Sequence, residues 1–156
     1  MSAGKPVRES QSEMTELVLP NDTNPLGAML GGRLMHLVDI AAALAGHRHS
    51  RSYLVTASVD HLNFRHPVTM GQFVVLKSSV NRVWNTSMEV GVKVFSEDIL
   101  TGQRLHTCSA YLTFVALDEH GNRRPVVPVI PETPDEIRRY EKAGERRKHR
   151  LAQRDS

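Results

Sequence analysis

The chain has 156 residues, enough for one domain that buries roughly 68–70% of the surface its unfolded form exposes. With 40% hydrophobic and 24% charged residues it reads as an ordinary globular protein, and no apolar run approaches the roughly 20 residues that span a bilayer. The formal charge is only +3, with the basic excess confined to the end of the chain, and the single cysteine, Cys108, excludes a disulfide framework and points to a reducing cytoplasm.

In chain order, MSAGKPVRESQ (1–11) has no apolar core of a secretory signal and reads as a disordered leader. A first strand is expected over Met14–Leu19, closed by Pro20, and NDTNPLG (21–27) is dense in turn formers. A helix follows from Gly31 to about Gly46. Leu34, Leu37, Val38, Ala41, Ala42 and Ala45 form a helical stripe, but Ile40, Ala43 and Leu44 make the opposite side hardly more polar, so the helix must be wrapped by its surroundings. After a basic turn, HRHSRS, come four strand regions. VTASVDHLNF (55–64) alternates and then changes phase, which predicts a bulge near Asp60 and His61. FVVLKSSVNRVW, SMEVGVKVF and a long run from Leu105 to Leu117 complete the set. The order strand, buried helix, four strands predicts an α+β fold in which an antiparallel sheet curls around one long helix. Part of that helix is left for a second copy of the chain to cover.

The last segment, 132–156, reads as a basic C-terminal helix or tail. Thr133, Pro134 and Glu136 have the spacing of a capping box. Beyond them mixed charges predict a solvated, partly frayed helix, or a patch that attracts a polyanion.

Within the apolar helix stands one carboxylate, Asp39. A buried, unpaired carboxylate costs several kcal/mol, so it has either a partner, such as an arginine, or a use. It lies off the main stripe, near Met35 and His36. Upstream, Gly31 and Gly32 open the helix where its N–H groups are unpaired. They would let a ligand approach the backbone, at a place suited to a developing oxyanion; equally, they would let the helix start close to the sheet. Asn24 lies in the turn that feeds the helix. The histidine pairs His47/His49 and His61/His66 lack zinc-site spacing, so no metal is expected, and no nucleic-acid motif or P-loop is present.

NPLGAMLGGRLMHLVDIAAALAG (24–46), together with VTASVDHLNF, NTSMEV and PETPDEIRRYEKA, resembles the hotdog-fold acyl-CoA thioesterases, specifically the cytosolic (brain-type) acyl-CoA hydrolase branch and its single-domain bacterial relatives. The resemblance implies a hotdog domain over 12–131. It also implies hydrolysis of fatty acyl-CoA without a cofactor, coenzyme A being part of substrate and product. Dimers that assemble into hexamers, as trimers of dimers, are implied too, with Asn24 and Asp39 in an active site at the subunit interface. Leu30 and Ile40 stand where the family often has an aromatic or histidine and an acidic residue. On this reading Gly31 and Gly32 hold the thioester carbonyl and Asp39 activates water or attacks directly. Thr56, Arg65, Lys77, Arg82, Ser87 and Met88 are expected to contact substrate. A non-catalytic acyl-CoA sensor on the same fold is the alternative.

Overall fold

The computed structural model describes residues 3–60 and 64–154. Its elements are β1 (Lys5–Pro6), β2 (Ser12–Leu17), α1 (Gly31–Ser50), β3 (Tyr53–Asp60), β4 (Phe73–Val83), β5 (Ser87–Glu97), β6 (Arg104–Leu117), β7 (Val129–Ile130) and α2 (Pro134–Arg154). Strands β2, β4, β5, β6 and β3 form one antiparallel sheet in that order, and α1 lies across it. The six stripe residues predicted from the 3.6-residue period are all buried. They pack on the inward side chains of the sheet, among them Leu76 and Val80 of β4, Met88 to Val94 of β5, and Leu112 and Phe114 of β6.

The helix runs four residues beyond Gly46. That glycine does not end it. A Cβ at position 46 would sit 2.7 Å from Leu54 Cδ1, so Gly46 lets the helix and β3 approach closely. Arg51, with φ of 51°, is the left-handed cap. The bulge expected near Asp60 and His61 falls earlier: the β3–β6 register shifts between Thr56 and Ser58. His61 is outside the described residues. The extra residue, Ala57, changes the phase so that Thr56 faces α1 while Ser58 and Asp60 face the opposite way.

Residues 3–11, expected to lack structure, are ordered. β1 pairs with β7 in parallel, Val7 is buried in the core, and the Ser10 hydroxyl donates to the Val7 carbonyl and accepts the Val80 N–H. The leader therefore completes the core under the end of α1, where Lys5 Nζ also donates to the carbonyls of Arg48 and His49.

The C-terminal helix begins with the predicted capping box, Thr133 Oγ1 accepting the Glu136 N–H and Glu136 Oε1 accepting the Thr133 N–H. It is not simply solvated, however. Its Ala143 side is fully buried on the outer face of the sheet. Glu89 of β5 has no exposed side-chain surface, and Arg146 of α2 donates to both its oxygens at 2.9 and 2.8 Å, with Asn81 Nδ2 as a third donor. Burial opposes the Arg146 charge, but bonding to Glu89 outweighs it and leaves the guanidinium pKa above its ordinary value. Arg150 bonds Asp60 at 2.8 Å, and Arg82 lies over the Tyr140 ring.

Removing one partner of such a buried pair strands the other charge, at a cost of about 3–5 kcal/mol. Glu89→Ala is therefore expected to lower unfolding stability by about that amount and to expose α2 to protease; denaturant titration and limited proteolysis measure both.

His49 supplies a pH-dependent contribution. It is buried, Nε2 bonds the Val127 carbonyl at 2.8 Å and Nδ1 has no partner among the described residues. Burial, only partly opposed by that hydrogen bond, lowers its pKa below the ordinary 6.5 of a histidine. The folded chain then binds fewer protons than the unfolded one, so this contribution to stability is complete above pH 6.5 and shrinks as pH falls below it. Denaturant midpoints measured from pH 7.5 downward should fall faster for the native chain than for His49→Gln.

Candidate active site

The segment leading into α1 is shaped by Asn24. Its Oδ1 accepts the N–H groups of Leu26 and Ala28, at 2.9 and 3.1 Å, and its own N–H reaches the Ala28 carbonyl. Gly27 turns with φ of 81°, and Met29 N–H donates to the Val68 carbonyl, which ties the loop to its neighbour. With its carbonyl oxygen occupied, Asn24 keeps the Nδ2 amide free of partners among the described residues. The start of α1 is anchored by Arg33, which reaches Asp22 and Glu16 at 3.2 Å each.

No side chain caps α1, because the residue before it is Leu30. The first N–H groups, those of Gly31 and Gly32 included, therefore have no intrahelical or capping acceptor. Both glycines are exposed, and a Cβ added to either would meet nothing within 4 Å. Packing inside the chain accordingly gives no reason for glycine here, and of the two readings of the pair, a close helix–sheet start is removed.

Asp39 is half-buried two turns further on. Its partner is a hydroxyl rather than an arginine: Thr56 Oγ1 donates to Asp39 Oδ1 at 2.9 Å. The bulge at Ala57 places Thr56 there. One oxygen of the carboxylate is thus fixed from β3, while Oδ2 has no partner among the described residues. β3 is the edge of the sheet. Along it Tyr53, Val55 and Val59 are exposed, as are Met35, Ile40 and Leu44 of α1. The site is therefore an open shelf beside an unpaired strand edge and an uncovered part of α1. Two cavities of the outer face, of about 870 and 780 Å³, are lined by neither Asn24 nor Asp39.

Of the expected substrate contacts, only Thr56 meets a candidate catalytic group. Met88 is fully buried in the core and cannot line a channel within this chain. Ser78 donates to the Ala41 carbonyl of α1, so its neighbour Lys77 points away from the helix. Ser87, next to the inward Met88, also faces outward and accepts from Arg147. Arg82 is engaged by α2, its Nη1 donating to the Tyr140 carbonyl. Arg65 is exposed, with its backbone N–H on the Thr107 carbonyl. Sequence reasoning missed that Thr56 holds Asp39. Its one signal was the polar residue in an otherwise apolar alternation.

Residues 26–103 match the thioesterase superfamily. The chain is 41% identical over 143 residues to the uncharacterized acyl-CoA thioester hydrolase YkhA of Bacillus subtilis, covering 92% of this chain and 83% of that one. The chain belongs to the thioesterase superfamily. Among solved thioesterases, an apo-hexameric acyl-CoA thioesterase superposes with a TM-score of 0.91 at 41% identity, covering 97% of each chain. An acyl-CoA hydrolase of Staphylococcus aureus, solved with coenzyme A as an asparagine-to-alanine variant, superposes with a TM-score of 0.93 at 33% identity, covering 99% of this chain and 92% of that one. The same enzyme has been crystallised with alanine in place of an aspartate and of a threonine. Its three replaced positions stand 15 and 17 residues apart, the intervals that separate Asn24, Asp39 and Thr56 in this thioesterase-superfamily chain. These neighbours share the sheet wrapped around one long helix, the hotdog fold.

Gly31→Ala and Gly32→Ala should leave the melting temperature unchanged or raise it slightly, since alanine favours a helix by up to about 1 kcal/mol over glycine and no atom stands in its way. A clear drop in thermal unfolding would mean that the glycines serve packing instead.

Proposed function

We infer that this protein hydrolyses acyl-CoA thioesters to the free acid and coenzyme A, at a centre built on the start of α1 and on Asp39. One observation carries the placement. A glycine pair that packing does not require opens an uncapped helix, eight residues before a carboxylate held by one oxygen only. The thioester carbonyl lies toward the N–H groups of Gly31 and Gly32, which stabilise the oxyanion of the tetrahedral intermediate; one such donor is typically worth about 10²–10³ in rate. Asp39 takes a proton from water through Oδ2 while Thr56 fixes Oδ1. The water oxygen adds to the carbonyl carbon, the C–S bond breaks, and coenzyme A leaves as a thiolate that takes up the proton. The reaction needs no cofactor or metal, because coenzyme A enters as part of the substrate.

Asn24 contributes its free Nδ2 amide from a second copy of the chain, orienting the water or the carbonyl. The dimer forms along the open edge of β3, where the apolar side chains of β3 and α1 would be covered. An unpaired strand edge invites such pairing, and each two-fold pair then has two complete sites. Further assembly to a hexamer is supported by the hexameric relative, and the spacing shared with the Staphylococcus aureus variants supports the roles given to Asn24, Asp39 and Thr56. The acyl chain lies along the apolar interface beside Met35 and Ile40. The protein works in the cytoplasm, where Cys108 stays reduced; among the described residues no helix is long and apolar enough to cross a membrane.

The test is thiol release from a panel of acyl-CoAs of increasing chain length. The native protein should release coenzyme A, and Asp39→Asn should retain the fold with turnover reduced about 10²–10⁴-fold, the usual worth of a general base. Binding of acyl-CoA without release, or undiminished turnover by Asp39→Asn, would sink the assignment.

A further inference from the structure

We propose that the outer face of the sheet carries a second site, for a phosphate-dense anion. A cavity of about 870 Å³ lies between the first half of α2 and strands β2, β4, β5 and β6, a size usual for a small-ligand site. Its lining holds seven lysine and arginine side chains and a single carboxylate, Glu13. Most of that charge is uncompensated. Arg146 is committed to Glu89. Arg138 and Lys142 have only exposed partners one helical turn away, Asp135 at 3.4 Å and Glu145 at 3.5 Å, and solvent screens such pairs. Lys77, Lys93, Arg139 and Arg48 have no carboxylate partner among the described residues, and Glu13 itself is drawn to Arg104 at 3.6 Å.

The register supplies an independent reason. Lys77 stands between two direct cross-strand partners, Glu13 of β2 on one side and Lys93 of β5 on the other, and both lysines are exposed on this face. Like charges directly opposite each other destabilise a sheet. An anion seated between them and α2 turns that repulsion into two charge-assisted contacts, and Arg139 offers the planar fork that suits phosphate.

Most of the lining belongs to the face away from α1, with Arg48 reaching the rim from the last turn of that helix, so the sheet stands between the cavity and the Asp39 of its own chain. The ligand is therefore either the nucleotide half of an acyl-CoA whose thioester is held by a neighbouring copy, or a separate phosphorylated small molecule. Only the first source rests on the hydrolytic reading; the site itself does not.

Sodium tripolyphosphate titrated calorimetrically into the full-length protein should bind saturably, and more weakly as salt rises. The double variant Lys93→Gln/Arg139→Gln should bind it at least about tenfold less well, having lost two charge-assisted contacts. Without anion the variant should melt at or above the native temperature, since it loses a repulsion, and this shows that the fold is intact. Acyl-CoA kinetics then assign the source. Competition by tripolyphosphate and a raised KM with unchanged kcat in the variant identify the substrate of a neighbouring copy. Binding without competition and an unchanged KM identify a separate ligand. Absence of saturable binding, or native affinity in the double variant, overturns the proposal, whether or not the protein proves to be a hydrolase.

Discussion

A helix with apolar side chains on nearly every side cannot rest on a flat surface without leaving much of itself in water. The rest of the structure answers that constraint on α1. The sheet covers Leu34, Leu37, Val38, Ala41, Ala42 and Ala45 completely, and Gly46 lets β3 come close enough to close the wrap. The wrap ends at β3, however, and Met35, Ile40 and Leu44 remain partly exposed beside it. At that unfinished margin Asp39, Thr56 and the free strand edge come together. The apolar requirement of one helix thus fixes both the shape of the core and the margin at which the proposed site and the open strand edge lie.

Two carboxylates interrupt apolar elements, and they are handled in opposite ways. Glu89 is fully buried and receives bonds from Arg146 and Asn81, so both its oxygens are occupied. It fastens α2 to the sheet and has no capacity left for a ligand. Asp39 is only half-buried and one of its oxygens is bonded. The two acids thus differ in how many of their lone pairs the chain itself satisfies.

What could be read from the sequence follows the range of the interactions involved. The buried stripe of α1, the four main strands and the capping box at Thr133 depend on side chains a few residues apart, and periodicity exposes them. Gly31, Gly32 and Asp39 stood out because each is unusual for its local setting, whereas Asn24, an ordinary turn residue, stood out only through the family resemblance. The ordered segment 3–11 was illegible because its partner strand is Val129–Ile130, more than a hundred residues away. The docking of α2 was hidden for the same reason: its charges look solvated until Glu89 and Asp60 are placed opposite them. The bulge was placed too late because alternation alone could not distinguish Val55 and Ala57, which face outward, from core positions. Side-chain direction was equally out of reach: Lys77 and Ser87 face away from α1 while Met88 faces the core, since one residue of register separates the two faces of a strand.

The pairing of β1 with β7 also bears on how the chain is made. Lys5 and Pro6 leave the ribosome more than a hundred residues before their strand partners Val129 and Ile130. Val7 and Ser10 reach their places only when β4 and the late strand are both available. During translation α1 must therefore wait, with its apolar stripe incompletely covered, until β6 has appeared. Closure of so distant a pair is slow, and exposed apolar surface in the interval favours contact with other chains. For this protein the vulnerable moment is the time spent growing, and a folding aid that shelters α1 during that window would act on the nascent chain rather than on the finished fold.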